Sequence, residues 1–159
     1  MNEKIIPESE LAVKRLTWPD DVVLVGGCFD LLHFGHFSFL KSARSQGEFL
    51  VVALEPDEFI RIRKKREPVH TQHQRAEILA GIEFVNAVIL LPFYQSDSDY
   101  HGLVKQVRPK VVAVTAEDPN LKRKEMQARN VGARVVEVTP IINSFSTSSI
   151  IQYATLLGD

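Results

Sequence analysis

The stretch Gly26–His36 has the sequence GGCFDLLHFGH and follows an apolar run, Val22–Val25. The run has the composition of a buried strand, and glycines directly behind a strand let the backbone turn tightly and approach a ligand. His33 and His36 are three residues apart, on one face of the first turn of a predicted helix. Because a helix N-terminus presents free N–H groups and the positive end of its dipole, the stretch predicts a cradle for a polyphosphate.

Outward from this stretch, apolar runs alternate with helical patterns. The predicted strands are Val22–Val25, Phe49–Leu54, Ala87–Leu91, Val111–Val114 and Arg134–Val138. The predicted helices are Glu8–Leu16, His36–Gln46, Gln72–Ile82, Tyr100–Val107, Leu121–Asn130 and Ser148–Leu157. Such alternation predicts an α/β fold, a single doubly wound domain with a five-stranded parallel sheet and helices on both faces. Ligands of such sheets bind beyond the carboxyl ends of the strands, where Gly26–His36 lies.

Length and composition restrict the function further. The 159 residues, 45% of them hydrophobic, fit one domain, which we divide into a lead-in helix within residues 1–20 and a main domain, 21–159. A formal net charge of -1 provides no global field for nucleic acid or an anionic membrane. No apolar run approaches the ~20 residues of a membrane span, and no signal-peptide pattern opens the chain, so we expect a cytoplasmic protein.

The pattern in Gly26–His36 resembles the H-x-G-H nucleotidylyltransferase superfamily. Its longer form, G-x-F-D-x-x-H-x-G-H, is similar to the cytidylyltransferase-like branch, which includes heptose-1-phosphate adenylyltransferase and glycerol-3-phosphate cytidylyltransferase. The hydroxyl-rich run Ser144–Ile150 resembles the second signature of this family. The resemblance implies a Rossmann-like sheet with strand order 3-2-1-4-5. It also implies transfer of AMP or CMP from ATP or CTP to a phosphorylated small molecule, with release of pyrophosphate.

The resemblance also implies site residues. Catalytic roles fall on His33, His36 and Lys64, since imidazoles can donate to phosphate oxygens and, as cations, offset charge on a leaving pyrophosphate. The implied nucleotide-binding residues are Gly27, Cys28, Phe29, Asp30, Gly35, Arg63, Lys65, Arg75, Asp118, Ser146, Thr147 and Ser148. No residue is assigned to a metal. Magnesium is expected with the triphosphate, held mostly by substrate and water.

Several of these residues also permit a purely structural interpretation. Asp30 suits bracing of the turn better than proton transfer, and Cys28, the only cysteine, suits packing behind the turn. Arg75 is either an active-site arginine or an ordinary helix arginine. The basic run Arg61–Arg66 is either a solvated loop or the source of at least one phosphate ligand. The hydroxyls before the last helix serve as helix caps, as phosphate ligands or as both.

The identity of the substrates stays open at this point. The lead-in and the GGCFD sequence are closer to the heptose branch, which favours ATP slightly over CTP. The acceptor could be a sugar phosphate, an alditol phosphate, a phosphonate or flavin mononucleotide. Thr115–Pro119 stands where many family members carry glycines, so a catalytically inactive nucleotide-binding homologue is the alternative. We expect a homodimer, and the missing G-x-x-x-x-G-K-[ST] motif argues against a P-loop kinase.

Overall fold

The computed structural model describes residues 2–139 and 146–157. Its strands form one sheet in which every adjacent pair is parallel. The strands are β1 Ile5–Pro7, β2 Val22–Gly27, β3 Phe49–Leu54, β4 Ala87–Leu90, β5 Val111–Thr115 and β6 Arg134–Thr139. They lie in the order β1-β4-β3-β2-β5-β6. The predicted α/β class with a parallel sheet is therefore confirmed.

The sheet has six strands in the described ranges, so the prediction of five is wrong. The missed strand, β1, pairs with β4 at the sheet edge, with Ile5 opposite Val88. Ile5 and Ile6 are buried, but three residues are too few to show the period of a strand, and proline is tolerated at an edge. The observed order is β1-β4-β3-β2-β5-β6 rather than 3-2-1-4-5. The five predicted strands, which exclude β1, lie in the order β4-β3-β2-β5-β6.

Helices occupy the connections between the strands. They are α1 Leu11–Lys14, α2 Phe34–Arg44, α3 Asp57–Phe59, α4 Gln72–Ala80, α5 Asp97–Val107, α6 Leu121–Arg129 and α7 Thr147–Leu157. The short helix α3 was not predicted, and it continues as a π-helical turn over Ile60–Lys64. Among residues 2–139 and 146–157, no helix is both long and apolar enough to cross a bilayer.

The helices cover both faces of the sheet. On one face, Val23 of β2 belongs to a core cluster with Leu40 of α2 and Leu79 of α4. On the other face, Leu24 belongs to a cluster with Leu103 of α5. Successive residues of β2 are thus buried on opposite faces, which explains why this strand is an uninterrupted apolar run.

The lead-in is attached to the second of these faces. It consists of β1, a 3₁₀ turn over Glu8–Glu10, α1, and a further 3₁₀ turn over Arg15–Thr17. Arg15 is buried, and its Nε atom donates to the backbone oxygen of Val107 at 2.5 Å. Residues 1–20 therefore supply an edge strand as well as the predicted helical turns.

Candidate active site

A cavity of about 1090 Å³ lies beyond the carboxyl ends of the central strands. The connections that follow β2, β3, β4 and β5 line it, together with the start of α7. All of them meet at one edge because the strands run parallel. The strand order reverses at β2, which lies between β3 and β5, and this is where doubly wound sheets bind their ligands.

The connection from β2 to α2 lines the cavity as the sequence predicts. The predicted residues found there are Gly27, Cys28, Phe29, Asp30, His33, Gly35 and His36. The left-handed backbone of this turn falls on Phe29, with φ 45°, rather than on a glycine. A Cβ on Gly27 would be 3.0 Å from the Phe29 ring, so the glycine is needed for space. Burial raises the pKa of the Cys28 thiol to about 11, which favours a packed thiol over a reactive thiolate.

The two histidines form a stacked pair at the start of α2. Helix α2 begins at Phe34, two residues before the predicted start, and His33 is its N-cap. The Nδ1 atom of His33 accepts from the backbone N–H of His36 at 3.4 Å, and the ring centroids are 3.8 Å apart. The Phe29 ring contacts His36, at a centroid distance of 5.2 Å. The fold thus holds both imidazoles in one place, beside the free N–H groups of a helix.

The protonation of the unliganded pair bears on the two expected roles, donation to a phosphate oxygen and, as cations, offsetting charge on a leaving pyrophosphate. Burial, together with the neighbouring His33 ring, lowers the pKa of His36 to about 4. Burial also lowers the pKa of His33. Without a ligand, His36 is therefore neutral at pH 7 and can donate through an N–H group. An anionic ligand would raise its pKa, because opposite charge favours the protonated form.

Three basic residues of the connection after β3 line the cavity, and two, Arg61 and Lys65, do not. Arg63 and Lys64 line the cavity. Lys65 has left-handed backbone, with φ 55°, and is not among the lining residues; it is exposed. Arg66 also lines the cavity and was not predicted as a site residue. Part of the basic run therefore faces the cavity, Lys65 belongs to the turn that ends it, and phosphate binding by the run stays a prediction.

Asp30 braces two loops, which agrees with the structural interpretation of this residue. Its side chain is only 2% exposed, and its carboxylate pairs with Arg66. It also accepts from the backbone N–H groups of Val69 and His70 at 2.9 and 3.1 Å. Burial alone opposes ionisation, but the hydrogen bonds from Arg66, His70 and Val69 outweigh it and hold the pKa of Asp30 below its ordinary value.

Arg75 does not line the cavity, so direct contact with a nucleotide is corrected to a supporting role. Its side chain is fully buried. One nitrogen, Nη1, donates to the backbone oxygens of Cys28 at 2.5 Å and Glu55 at 2.9 Å. Nη2 pairs with Asp57 at 2.7 Å, and Nε donates to the oxygen of His70 at 3.1 Å. Arg75 thereby ties together the connections that follow β2 and β3.

The connection after β5 presents an ion pair. Asp118 lines the cavity, and its carboxylate contacts Lys124 at 2.6 Å. Asp118 also accepts from the backbone N–H of Asn120 at 2.7 Å. Glu117, within the segment Thr115–Pro119, takes left-handed backbone, with φ 59°. The altered segment therefore turns at Glu117 and leaves Asp118 directed into the site.

The hydroxyl groups at the start of α7 complete the cavity wall. Ser146, Thr147 and Ser148 all line it. The Ser146 hydroxyl oxygen accepts from the backbone N–H of Ser149 at 3.0 Å, so Ser146 caps the helix. The hydroxyls of Thr147 and Ser148 are therefore not needed for this cap. The remainder of the predicted second signature, Ser144 and Phe145, lies outside the described residues.

One wall of the cavity was missed by the sequence analysis. Glu55, which directly follows β3, is 8% exposed and accepts from the Tyr100 hydroxyl at 2.8 Å. Tyr94 meets Tyr100 edge to face, with centroids 4.9 Å apart, and its hydroxyl donates to Glu8 at 3.1 Å. Burial raises the pKa of Glu55 despite its bond from Tyr100 and nearby cations. The sequence signal that could have identified this wall is the position of Glu55, a carboxylate directly after the apolar strand β3.

Known proteins similar to this chain agree with the geometry. A family model described as cytidylyltransferase-like matches residues 24–153. The chain belongs to this family. The FAD synthase of Thermococcus kodakarensis is 36% identical over 135 residues, which cover 82% of this chain and 89% of that protein. The bifunctional protein HldE of Helicobacter hepaticus is 36% identical over 132 residues, which cover 82% of this chain and 26% of that protein. The predicted family and the enzyme class, a nucleotidyltransferase, are confirmed.

Solved structures support the fold. The lipopolysaccharide core biosynthesis protein from Thermoplasma volcanium superposes with a TM-score of 0.61 at 23% identity, covering 76% of this chain and 95% of that protein. Pantoate-beta-alanine ligase from Francisella tularensis superposes with a TM-score of 0.64 at 13% identity, covering 98% of this chain and 80% of that protein. At these identities the likeness concerns the fold alone.

Proposed function

We propose that this member of the cytidylyltransferase-like family transfers an adenylyl group from ATP to a phosphorylated small molecule. A phosphate oxygen of the acceptor attacks the α-phosphorus of ATP and forms the new P–O bond. The bond between the α-phosphorus and the bridging oxygen breaks, and pyrophosphate leaves with the electron pair. The observation that carries this proposal is the stacked pair His33 and His36 at the start of α2, facing a cavity that Arg63 and Lys64 also line.

Each part of the site has a role in this reaction. His36, neutral before binding, donates an N–H to a phosphate oxygen and gains basicity as charge develops on the leaving pyrophosphate. Arg63 and Lys64 add positive charge from the connection after β3. Thr147 and Ser148 contribute hydroxyl and backbone N–H donors at a helix start. Such a site acts by positioning and charge stabilisation, so it needs no covalent nucleophile.

The names of the relatives favour ATP over CTP. The relatives include FAD synthases and the protein HldE, so flavin mononucleotide and a heptose phosphate are the first acceptors to test. CTP and glycerol phosphate remain the alternative pair, since no contact in the cavity has been assigned to a base. A homodimer and a cytoplasmic location stay predictions.

Magnesium fits this site only as a companion of the substrate. Within residues 2–139 and 146–157, no three His, Cys, Asp or Glu side chains are grouped as metal ligands. Asp118 is already paired with Lys124, and Asp30 with Arg66. Triphosphate oxygens and water would therefore hold the ion, which would supply neutralisation of the phosphate charge.

An inactive nucleotide-binding homologue is the second candidate, and the connection after β5 is the reason to consider it. Asp118, paired with Lys124, and the left-handed Glu117 lie in the segment Thr115–Pro119, where the family resemblance implies glycines. Thermal shift with ATP, CTP, GTP and UTP, followed by pyrophosphate release with each acceptor, separates the two. Turnover that requires both triphosphate and acceptor supports the enzyme. Stabilisation by ATP with no pyrophosphate release from any acceptor supports the inactive homologue.

A further inference from the structure

The carboxyl group of Glu55 is incompletely paired. Its Oε1 atom accepts from Tyr100 at 2.8 Å. Its buried Oε2 atom has no hydrogen-bond partner in the part of the chain that the structure describes. A buried carboxyl oxygen without a donor is costly, and Glu55 lines the cavity. Its terminal torsion is soft, so a modest rotation can present either oxygen to a ligand.

Glu55 belongs to a different part of the fold from the histidine pair, although Arg63, which we also assign to the phosphates, lies near it. The histidine pair belongs to α2, which packs on one face of the sheet. Tyr94 and the helix that carries Tyr100 belong to the opposite face. Glu55 joins this second face through its bond from Tyr100, beyond β3 rather than β5. The cavity is thus lined by the histidine pair from one face of the sheet and by a carboxylate and two tyrosines associated with the other face.

The charges around Glu55 restrict what it can bind. Arg75, Lys124 and Arg63 all lie near enough to favour its ionised form. These three cations would repel an ammonium group on a ligand, whereas they would not repel a neutral hydroxyl. The same cations Arg63 and Lys124 line the cavity and can attract a phosphate.

We propose that Glu55 determines acceptor specificity by accepting a hydrogen bond from a hydroxyl group of the phosphorylated acceptor. The hydrogen bond from Tyr100 holds the carboxyl group in place, and the Tyr94 ring packs edge to face against Tyr100. The part of the cavity beyond β3 is thereby an acceptor subsite for a sugar, alditol or ribityl phosphate. This proposal rests on the proposed nucleotidyl transfer for the identity of the ligand as an acceptor.

Isothermal titration of the full chain without nucleotide tests the subsite directly. The hydroxylated probes are flavin mononucleotide, glucose 1-phosphate and glycerol 3-phosphate, and propyl phosphate is glycerol 3-phosphate without its two hydroxyls. The wild type should bind at least one hydroxylated probe at least about tenfold more tightly than propyl phosphate, the scale of one hydrogen bond to a charged group. Equal binding of all four probes, or no binding of any hydroxylated probe, overturns the proposal.

Variants assign the preference to Glu55. Glu55→Leu should abolish the preference for the hydroxylated probe. Glu55→Gln keeps the shape of the side chain and serves if the leucine variant fails to fold. It should lower the affinity for the preferred probe about tenfold. Glu58→Gln removes the same charge from an exposed neighbour and should bind like the wild type. If Glu55→Gln keeps the full preference, the proposal is wrong.

A titration with ATP distinguishes the acceptor from the ribose of the nucleotide. Glu55→Gln should bind ATP within about twofold of the wild type, while the hydroxylated probe weakens about tenfold. An equal loss of ATP affinity would place the nucleotide, not the acceptor, against Glu55 and overturn the assignment. Failure of the proposed nucleotidyl transfer would appear separately, as probe binding with no pyrophosphate release.

Discussion

Replacing Arg75 with methionine removes the guanidinium that ties the connections after β2 and β3 together. The side chain is fully buried and makes four polar contacts, to Cys28, Glu55, His70 and Asp57. Methionine retains much of the apolar stem but donates nothing, so these oxygens lose their shared donor. Because Asp57 also loses the guanidinium with which it is paired, we expect a large loss of stability.

The size of this loss follows from the chemistry of the contacts. Removing one partner of a buried ion pair costs about 3–5 kcal/mol, and hydrogen bonds to a charged group contribute about 1.5–3 kcal/mol each. These terms overlap, and Asp57 is partly exposed, so we expect Arg75→Met to lower the free energy of unfolding by about 4 kcal/mol. That is a large part of the 5–15 kcal/mol typical of a folded protein.

Equilibrium urea unfolding measures the loss in the free energy of unfolding, provided that the dependence of this free energy on urea concentration has the same slope in both proteins. Arg75→Lys keeps the charge but not the fork of donors, so it should recover part of the stability. Arg61→Met is the matched control, because Arg61 pairs with Glu67 on the surface and should shift the midpoint far less. A loss below about 1 kcal/mol in Arg75→Met would refute the assigned role.

Three further predictions concern His36 and two glycines. His36→Ala should lower turnover by about 10²-fold with the fold intact, and near-normal turnover would contradict the role of His36. Because the pKa of His36 is about 4 when folded and 6.5 otherwise, wild-type stability should fall as pH drops from about 6.5 to about 4. His36→Gln should remove up to about 3 kcal/mol of that fall in pH-dependent urea unfolding, and identical profiles would contradict the burial of neutral His36. Gly47→Ala should destabilise by about 1–3 kcal/mol, because its Cβ would be 2.7 Å from Val23. Gly102→Ala, with open space at its Cβ, should instead stabilise α5 by about 0.5–1 kcal/mol in the same assay, and equal effects would contradict this packing.

Much of the sheet was predictable because its strands are buried on both faces. Phe49–Leu54 is an unbroken apolar run, and its predicted bounds equal those of β3. β1 was not predicted because its three residues form a strand only by pairing with β4, which lies far away in the sequence. A strand of that kind depends on tertiary contact rather than on any local pattern.

The site divides in the same way. The histidine pair and the hydroxyls before α7 belong to short motifs, so the sequence located them in the cavity. The burial of Arg75 could not be read from its helix, because it depends on the backbone oxygens of Cys28 and Glu55, which accept from its guanidinium. The wall of Glu55 and Tyr100 joins residues 45 positions apart, and such contacts are set by the packing of α5 against the sheet.

Mass-spectrometric analysis of the products formed from ATP and each acceptor tests nucleotidyl transfer most directly. The account predicts an acceptor that has gained the AMP moiety, together with an equal amount of pyrophosphate, and about 10²-fold slower formation of both in His36→Ala. ADP or inorganic phosphate as the products, or an unmodified acceptor despite bound ATP, would contradict it.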